Sequence, residues 1–198
     1  MIRWCLHATP CGVLRLGAFG GRLCLCDWAD VPARDFVVRR LERGLHVRFA
    51  EWPNERLRPG TGLPGIPAEP ESNFPDNPDD ADRCVLDRAV RQLDEYFAAQ
   101  RRVFDVPLLT VGTPFQRAVW ELLTEIPFGG TRSYAWLAAQ LGHPRAVRAV
   151  AAANRANALS IFIPCHRVVG SDGSLTGYAG GLAAKRLLLE LEQATLLR

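Results

Sequence analysis

Three short apolar runs open the chain, Trp4 to Ala8, Val13 to Phe19 and Leu23 to Trp28. Turn-forming residues separate them, first Thr9-Pro10-Cys11-Gly12 and then Gly20-Gly21, so the pattern predicts strands joined by tight turns. The second run sets Val13, Arg15, Gly17 and Phe19 on one face and Leu14, Leu16 and Ala18 on the other, the period of a half-buried strand. A helix is expected over about Ala33 to Leu45, ending near Gly44. Val85, Leu86, Ala89, Val90, Leu93 and Phe97 recur at helical spacing, with Asp79-Asp80 as a start and about Ala99 as the end.

The second half has a different rhythm. Thr113-Pro114 is an N-cap followed by proline at the first helical position, and Phe115, Val119, Trp120 and Leu123 form the apolar stripe of a helix to about Glu125. Ile126-Pro127-Phe128-Gly129-Gly130 stops it. A short helix is expected from Ser133 to Leu141, a turn at Gly142-His143-Pro144, and a further helix from Arg145 to Arg155. Helix, glycine-bearing turn and helix make a helix-turn-helix pattern. Arg145, Arg148 and Arg155 stand among alanines, which would let a phosphate chain approach closely. Packing in a core would equally use such alanines.

Composition adds three points. Residues 53–78 hold seven prolines and three glycines, which excludes a regular element and marks a surface loop or linker. Net charge is +3 overall, but from Thr113 onward 9 basic residues face 5 acidic ones, so the basic excess lies in the C-terminal half and leans toward a polyanionic partner. Lys185 is the single lysine among 24 basic residues, which draws attention to its surroundings. No secretory leader or long apolar span is present, and Cys5, Cys11, Cys24, Cys26, Cys84 and Cys165 form no CxxC pair. Free thiols in a reducing cytoplasm are expected, with the first four more readily small buried hydrophobes than metal ligands.

Cys165-His166 follows the apolar run Ser160-Ile161-Phe162-Ile163, read as a buried strand. A thiol needs a base or a positive field to become a nucleophile; His166 offers the first and Arg167 the second. Adjacent strand residues point to opposite faces, so adjacency alone leaves Cys165 open as nucleophile or as buried structural cysteine.

The block Pro164-Cys165-His166-Arg167-Val168, with Asn157 before it and Gly177-Tyr178-Ala179-Gly180-Gly181 after it, resembles the O6-alkylguanine-DNA alkyltransferases. The likeness extends back through Arg148-Ala149-Val150 to Ser133-Tyr134 and forward through Lys185 to Glu192. It covers Val106 to Gln193 firmly and the first part loosely, through Ala8-Thr9-Pro10 and Gly12. The resemblance implies that Cys165 accepts the alkyl group of O6-alkylguanine, and of O4-alkylthymine, irreversibly in one turnover. It implies that His166 takes the thiol proton through a water, oriented by Glu192, which the sequence alone would leave as a solvated charge. Tyr134 would bond the guanine ring and crowd a phosphate, Lys185 would sit near Tyr134 and Cys165, and Tyr178, Ala179, Val168 and Asn157 would shape the substrate pocket. Arg148 would fill the gap left by a flipped nucleotide, with Arg145, Arg155 and Ser133 on the DNA. The helix-turn-helix would enter the minor groove, with little sequence preference.

The chain departs from the family in having Ala151, Ala152, Ala158 and Ala179 where glycine, proline or serine is frequent, and no catalytic group is lost. The expected fold is α+β, a small N-terminal sheet and helix domain over 1–104 carrying the loop 53–78, then a helical, winged-helix-like domain over 105–198. A cytoplasmic monomer without cofactor or metal, associated with the nucleoid when bound to duplex DNA and with no membrane contact, completes the expectation. A winged-helix regulator would need no cysteine-histidine pair, and a cysteine hydrolase would need no helix-turn-helix.

Overall fold

The computed structural model describes residues 1–51 and 78–196. The expected loop 53–78 falls almost wholly outside the described residues. Strands β1 (Ile2–Thr9), β2 (Gly12–Ala18), β3 (Leu23–Trp28) and β4 (Phe49–Glu51) form one sheet in the order β3-β2-β1-β4. The two hairpins are those the turn residues predict. Pro10-Cys11 is a two-residue loop between the paired Thr9 and Gly12. Gly20 and Gly21 both take positive φ, 59° and 69°, the conformation a two-residue hairpin turn requires. Leu14, Leu16 and Ala18 are buried while Val13 and Arg15 are partly exposed, as the alternation predicts. The short β4, parallel to β1, carries too little pattern in three residues to be read from sequence.

Helix α1 (Asp35–Leu45) follows a 3-10 turn at Pro32–Arg34. It runs past Gly44 and ends with His46 in the left-handed conformation, φ 55°, so histidine takes the terminating role expected of glycine. Helix α2 (Pro78–Phe97) lies against β1 and β2 and buries Val85, Leu86, Ala89 and Leu93; Val90 and Phe97 are partly buried.

Helix α3 (Pro114–Thr124) starts with a complete capping box: the Thr113 hydroxyl accepts from Gln116 N, and the Gln116 side chain accepts from Thr113 N. It buries Val119, Trp120 and Leu123, with Phe115 at the margin. Then come β5 (Arg132–Ser133), α4 (Tyr134–Gln140), α5 (Val147–Arg155), β6 (Val168–Val169) and α6 (Gly181–Leu196). The pair β5-β6 is parallel and ties the entry of α4 to the chain after Arg167. Helix α5 is shorter than expected: Arg145 lies in the preceding turn, where Ala146 N bonds to His143 O, and only Arg148 and Arg155 are on the helix. The Trp120 indole nitrogen donates to Ala153 O at 2.8 Å, fixing α5 on α3.

The outer edge of β3 is covered by the second half of the chain. Leu23 N donates to Pro107 O, Leu109 N to Leu23 O, Cys26 N to Ala158 O and Ser160 N to Cys26 O, at 2.7–2.8 Å. An edge strand left open would carry unpaired backbone groups; here they hold residues 107–109 and 158–160 in place. One hydrophobic cluster runs through both halves, from Leu14 and Leu16 to Trp120, Leu137 and Val168. Thr113→Ala removes the capping box, and we predict a loss of about 1 kcal/mol of stability. Urea unfolding should show a lower midpoint with an unchanged slope; an unmoved midpoint would mean Pro114 alone sets the helix start.

Candidate active site and nucleic-acid interface

The run Ser160–Ile163 is not a strand. Ser160 and Ile163 bridge each other across a tight reversal in which Ile163 N donates to Leu159 O and Ile161 takes φ 74°. A short buried apolar run has no periodicity to separate strand from reversal, and a β-branched residue at positive φ is the conformation sequence patterns forecast least. Such a conformation persists only where the surroundings over-determine it. Here Asn157 does so: its side chain donates to Ile163 O at 3.0 Å and accepts from Leu159 N at 3.0 Å.

Cys165, His166 and Arg167 then form one 3-10 turn, all three buried. In a turn the side chains fan out rather than alternate, so adjacency no longer separates Cys165 from His166. Burial pushes the Cys165 thiol up, while the Asn157 amide and the charges of Arg34 and Lys185 pull it back. The charges that favour the ionised thiol are those of Arg34 and Lys185 rather than the adjacent Arg167, and Asp27, paired with Arg34, opposes them.

Arg167 serves Glu192 instead. Glu192, on α6, is fully buried and is not the solvated charge that sequence alone would allow. Its Oε1 accepts from His166 Nε2 at 2.8 Å, Tyr96 Oη at 2.9 Å and Arg167 Nη2 at 2.9 Å; its Oε2 accepts from Gly129 N and Arg167 Nε, each at 2.9 Å. Burial alone would raise this carboxyl. The hydrogen bonds and charges of His166 and Arg167 outweigh it and hold the group at about 2. Burial lowers His166, against the pull of Glu192. Its Nδ1 has no hydrogen-bond partner among the described residues, so a neutral ring bonded to Glu192 through Nε2–H presents a bare Nδ1 lone pair.

Lys185 is buried, with Nζ donating to Val168 O at 2.6 Å and Thr176 O at 2.7 Å. Burial lowers it to about 8. A compact ammonium fits between two carbonyls where a planar guanidinium would not, which accounts for the single lysine. Tyr134 opens α4 and is half-buried; burial raises its phenol, hydrogen bonding to Thr176 and Asn154 opposes this, and the Cys165 sulfur lies close enough to add to the rise. Tyr178 stands edge-on to the His166 ring at 6.5 Å, and Ala179 adjoins it, half-buried. Val168 is fully buried, and its carbonyl is engaged by Lys185.

Helix α5 turns Arg148, Ala149, Ala152 and Arg155 to the surface, while Val150, Ala153 and Asn154 are buried. These exposed positions recur at helical spacing and make one face of small side chains with an arginine near each end. Arg145, in the turn before it, is also exposed. Ser133 caps α4, its hydroxyl accepting from Trp136 N. The last carbonyls of α5 are held from the first half of the chain: Arg34 donates to Arg155 O and, at 2.5 Å, to Asn157 O, and Arg40 donates to Ala156 O at 2.7 Å. Arg34 is itself paired with Asp27 at 2.7 Å. Cations at a helix C-terminus are favourable, and these two replace solvent on carbonyls that no helix bond satisfies.

Tyr96, Arg34, Arg40 and Asn154 therefore belong to the site and escape sequence reasoning. Tyr96 falls on the apolar stripe of α2 and reads as core; the three polar residues carry no local motif. Cys5, Cys24 and Cys26 are buried, Cys11 half-buried and Cys84 exposed, all as free thiols. No cluster of three or more metal-ligating side chains occurs among the described residues. None of the described helices is long and apolar enough to cross a membrane.

Residues 114–194 match the family model of the 6-O-methylguanine DNA methyltransferase DNA-binding domain. A methylated-DNA–protein-cysteine methyltransferase of Methanosarcina barkeri is 54% identical over 108 residues, 54% of this chain and 68% of that protein. The constitutive enzyme of that name from Bacillus subtilis is 53% identical over 109 residues, 54% of this chain and 66% of that protein. The crystal structure of Mycobacterium tuberculosis OGT in complex with DNA superposes with a TM-score of 0.70 at 33% identity, covering 98% of this chain and 94% of that one.

The Glu192 carboxyl sits below its unfolded value of about 4.3. Its contribution to stability is therefore complete above that value and is lost as the pH falls toward about 2. Glu192→Gln leaves Arg167 buried without its anion, and we predict a loss of about 3–5 kcal/mol at pH 7. Urea unfolding of both proteins from pH 7 to pH 2.5 should show the gap closing below about pH 4.5. A constant gap would mean that Glu192 titrates as an ordinary carboxyl.

Proposed function

The chain belongs to the methylated-DNA–protein-cysteine methyltransferase family, and from that premise we propose that it repairs DNA by moving the alkyl group of O6-alkylguanine onto Cys165 and keeping it. The observation that carries the reading is the alignment of Cys165, His166 and Glu192: a buried thiol, then an imidazole with one nitrogen bonded to a buried carboxylate and the other without a hydrogen-bond partner among the described residues. A water between Nδ1 and the thiol would relay the proton. The sulfur attacks the alkyl carbon, the S–C bond forms as the C–O6 bond breaks, and the electron pair leaves with guanine. Guanine takes up one proton, so the thiol proton is balanced overall. Tyr134, beside Thr176 and Asn154, is placed to hydrogen-bond the leaving base, and Lys185 stabilises negative charge at the sulfur. Tyr178, Ala179, Val168 and Asn157 surround the thiol turn and bound the pocket; the Ala179 amide would donate to the guanine oxygen.

The target carbon lies inside the duplex, so the nucleotide must leave the stack. The exposed face of α5 is suited to a minor groove, where the base code is degenerate and sequence preference slight. Arg148 would fill the vacated space, and Arg145, Arg155 and the start of α4 at Ser133 would meet the backbone. O4-alkylthymine presents the same reacting group and would be a second substrate. The same reading makes the protein a cofactor-free monomer of the cytoplasm, on the nucleoid when bound to DNA. It also divides the chain into a supporting part, 1–104, and a reacting, DNA-binding part, 105–198.

The test is intact-mass spectrometry after mixing with an O6-methylguanine duplex: Cys165 should gain one methylene, and Cys165→Ser should gain nothing while still binding DNA, because a hydroxyl is a far weaker nucleophile at neutral pH. A major adduct on Cys5, Cys11, Cys24, Cys26 or Cys84 would refute the assignment. Arg148→Ala should slow repair in duplex DNA about ten- to hundredfold, roughly 1–3 kcal/mol, and leave transfer from free O6-benzylguanine near normal, since the free base needs no flipping. Equal slowing of both substrates would show that the pocket, not the plug, was damaged. Rescue of the duplex reaction by low salt would make Arg148 a phosphate contact only.

A further inference from the structure

We infer that Trp28, at the end of β3, is the back wall of the alkyl pocket and a specificity-determining residue for the size of the group transferred. The inference rests on the alkyl-transfer reading above and concerns a residue remote in sequence from every motif that reading uses. The Trp28 indole is buried between two loops. On one side is the β1–β2 turn, where a Cβ built on Gly12 would lie 3.5 Å from Cζ3, an ordinary contact. On the other side is the Tyr178–Gly181 segment. A Cβ built on Gly180 would lie 2.2 Å from Cε2, 2.5 Å from Cδ2 and 2.5 Å from Cζ2, so the ring lies directly against the Gly180 backbone. Tyr178 meets the same indole edge to face, at 5.8 Å and 74°, and His166 at 6.5 Å and 78°. Trp28, Tyr178 and His166 therefore form a row of rings running from the N-terminal sheet to the base beside Cys165.

Two features make the row sensitive to Trp28. The Tyr178 hydroxyl is buried without a hydrogen-bond partner among the described residues, so ring packing holds the side chain where a hydrogen bond does not. Gly180, unlike Gly181, has no positive φ, so its backbone would tolerate a side chain; the three nearest obstacles to one are atoms of Trp28. The glycine is required there by the tryptophan. Shortening residue 28 gives Tyr178 space to retreat and deepens the pocket behind the alkyl carbon. The size limit is thus set from the first half of the chain, through packing between β3 and the loop before α6.

The experiment compares single-turnover transfer from O6-methylguanine and O6-benzylguanine placed in the same duplex, so that binding and flipping largely cancel in the ratio of rates. Trp28→Leu should raise the benzyl-to-methyl ratio by about tenfold, the scale on which an apolar pocket discriminates by size. Trp28→Phe keeps more of the buried area and should give a smaller rise, which guards against a variant that does not fold. Gly180→Ala in the native background should slow both reactions, and adding Trp28→Leu should restore methyl transfer. A ratio unchanged in both folded Trp28 variants, or a Gly180→Ala defect that Trp28→Leu does not relieve, would overturn the inference while leaving the alkyl-transfer reading intact. A native protein that takes an alkyl group from neither duplex would overturn that reading itself, and the pocket with it.

Discussion

A buried carboxylate must be paired, and much of this molecule is arranged around meeting that requirement at Glu192. Five donor atoms from four residues converge on its two oxygens: His166 and Arg167 from the thiol turn, Tyr96 from α2 and Gly129 from the turn after α3. The donors lie on three different elements, so α6, the thiol turn, the turn after α3 and the helix of the first half are held by a single acceptor. An uncompensated charge at that depth would cost several kcal/mol, which makes the arrangement close to all-or-none. The same carboxylate sets the histidine: by accepting a hydrogen bond from Nε2–H it leaves Nδ1 as the acceptor.

The first half of the chain is tied to the site as well as beside it. The edge of β3 fixes the loop before Cys165, Arg34 and Arg40 finish the exposed helix, and Tyr96 reaches the buried Glu192 carboxylate. Asp27, Trp28 and Arg34 lie within eight residues of one another, yet they face an arginine, the Tyr178–Gly181 segment and a helix terminus in turn. A change in the sheet would therefore be felt at two places with different chemistry, the segment carrying Tyr178 and the face of α5.

The elements that could be read in advance were those whose signal is local. The capping box at Thr113, the paired positive-φ glycines at 20 and 21, and the apolar stripe of α2 each depend on residues within one or two turns of themselves. The misread strand has a non-local cause. Ser160–Ile163 was expected as a strand because burial and β-branching resemble one, but the reversal at Ile161 is imposed by Asn157 and by the β3 edge. Helix α1 ends at Leu45 as its pattern predicts, with His46 rather than a glycine in the left-handed terminating position.

By itself the sequence determined the first three strands, the helices α1 to α5 with their helix-turn-helix, and the group of residues around Cys165 by which the family is recognisable. Those properties are carried by neighbours in the chain, whose spacing survives in one dimension. Only the tertiary structure decided which charges act on which groups: that Arg167 serves Glu192 while Arg34 and Lys185 act on the thiol, and that Tyr96 and Trp28, legible only as core aromatics, end at the Glu192 carboxylate and the Tyr178 ring. Electrostatic and packing energies depend on distance through space. The pairs that matter here are separated by up to 152 positions, as Trp28 and Gly180 are, and no local pattern encodes such a contact.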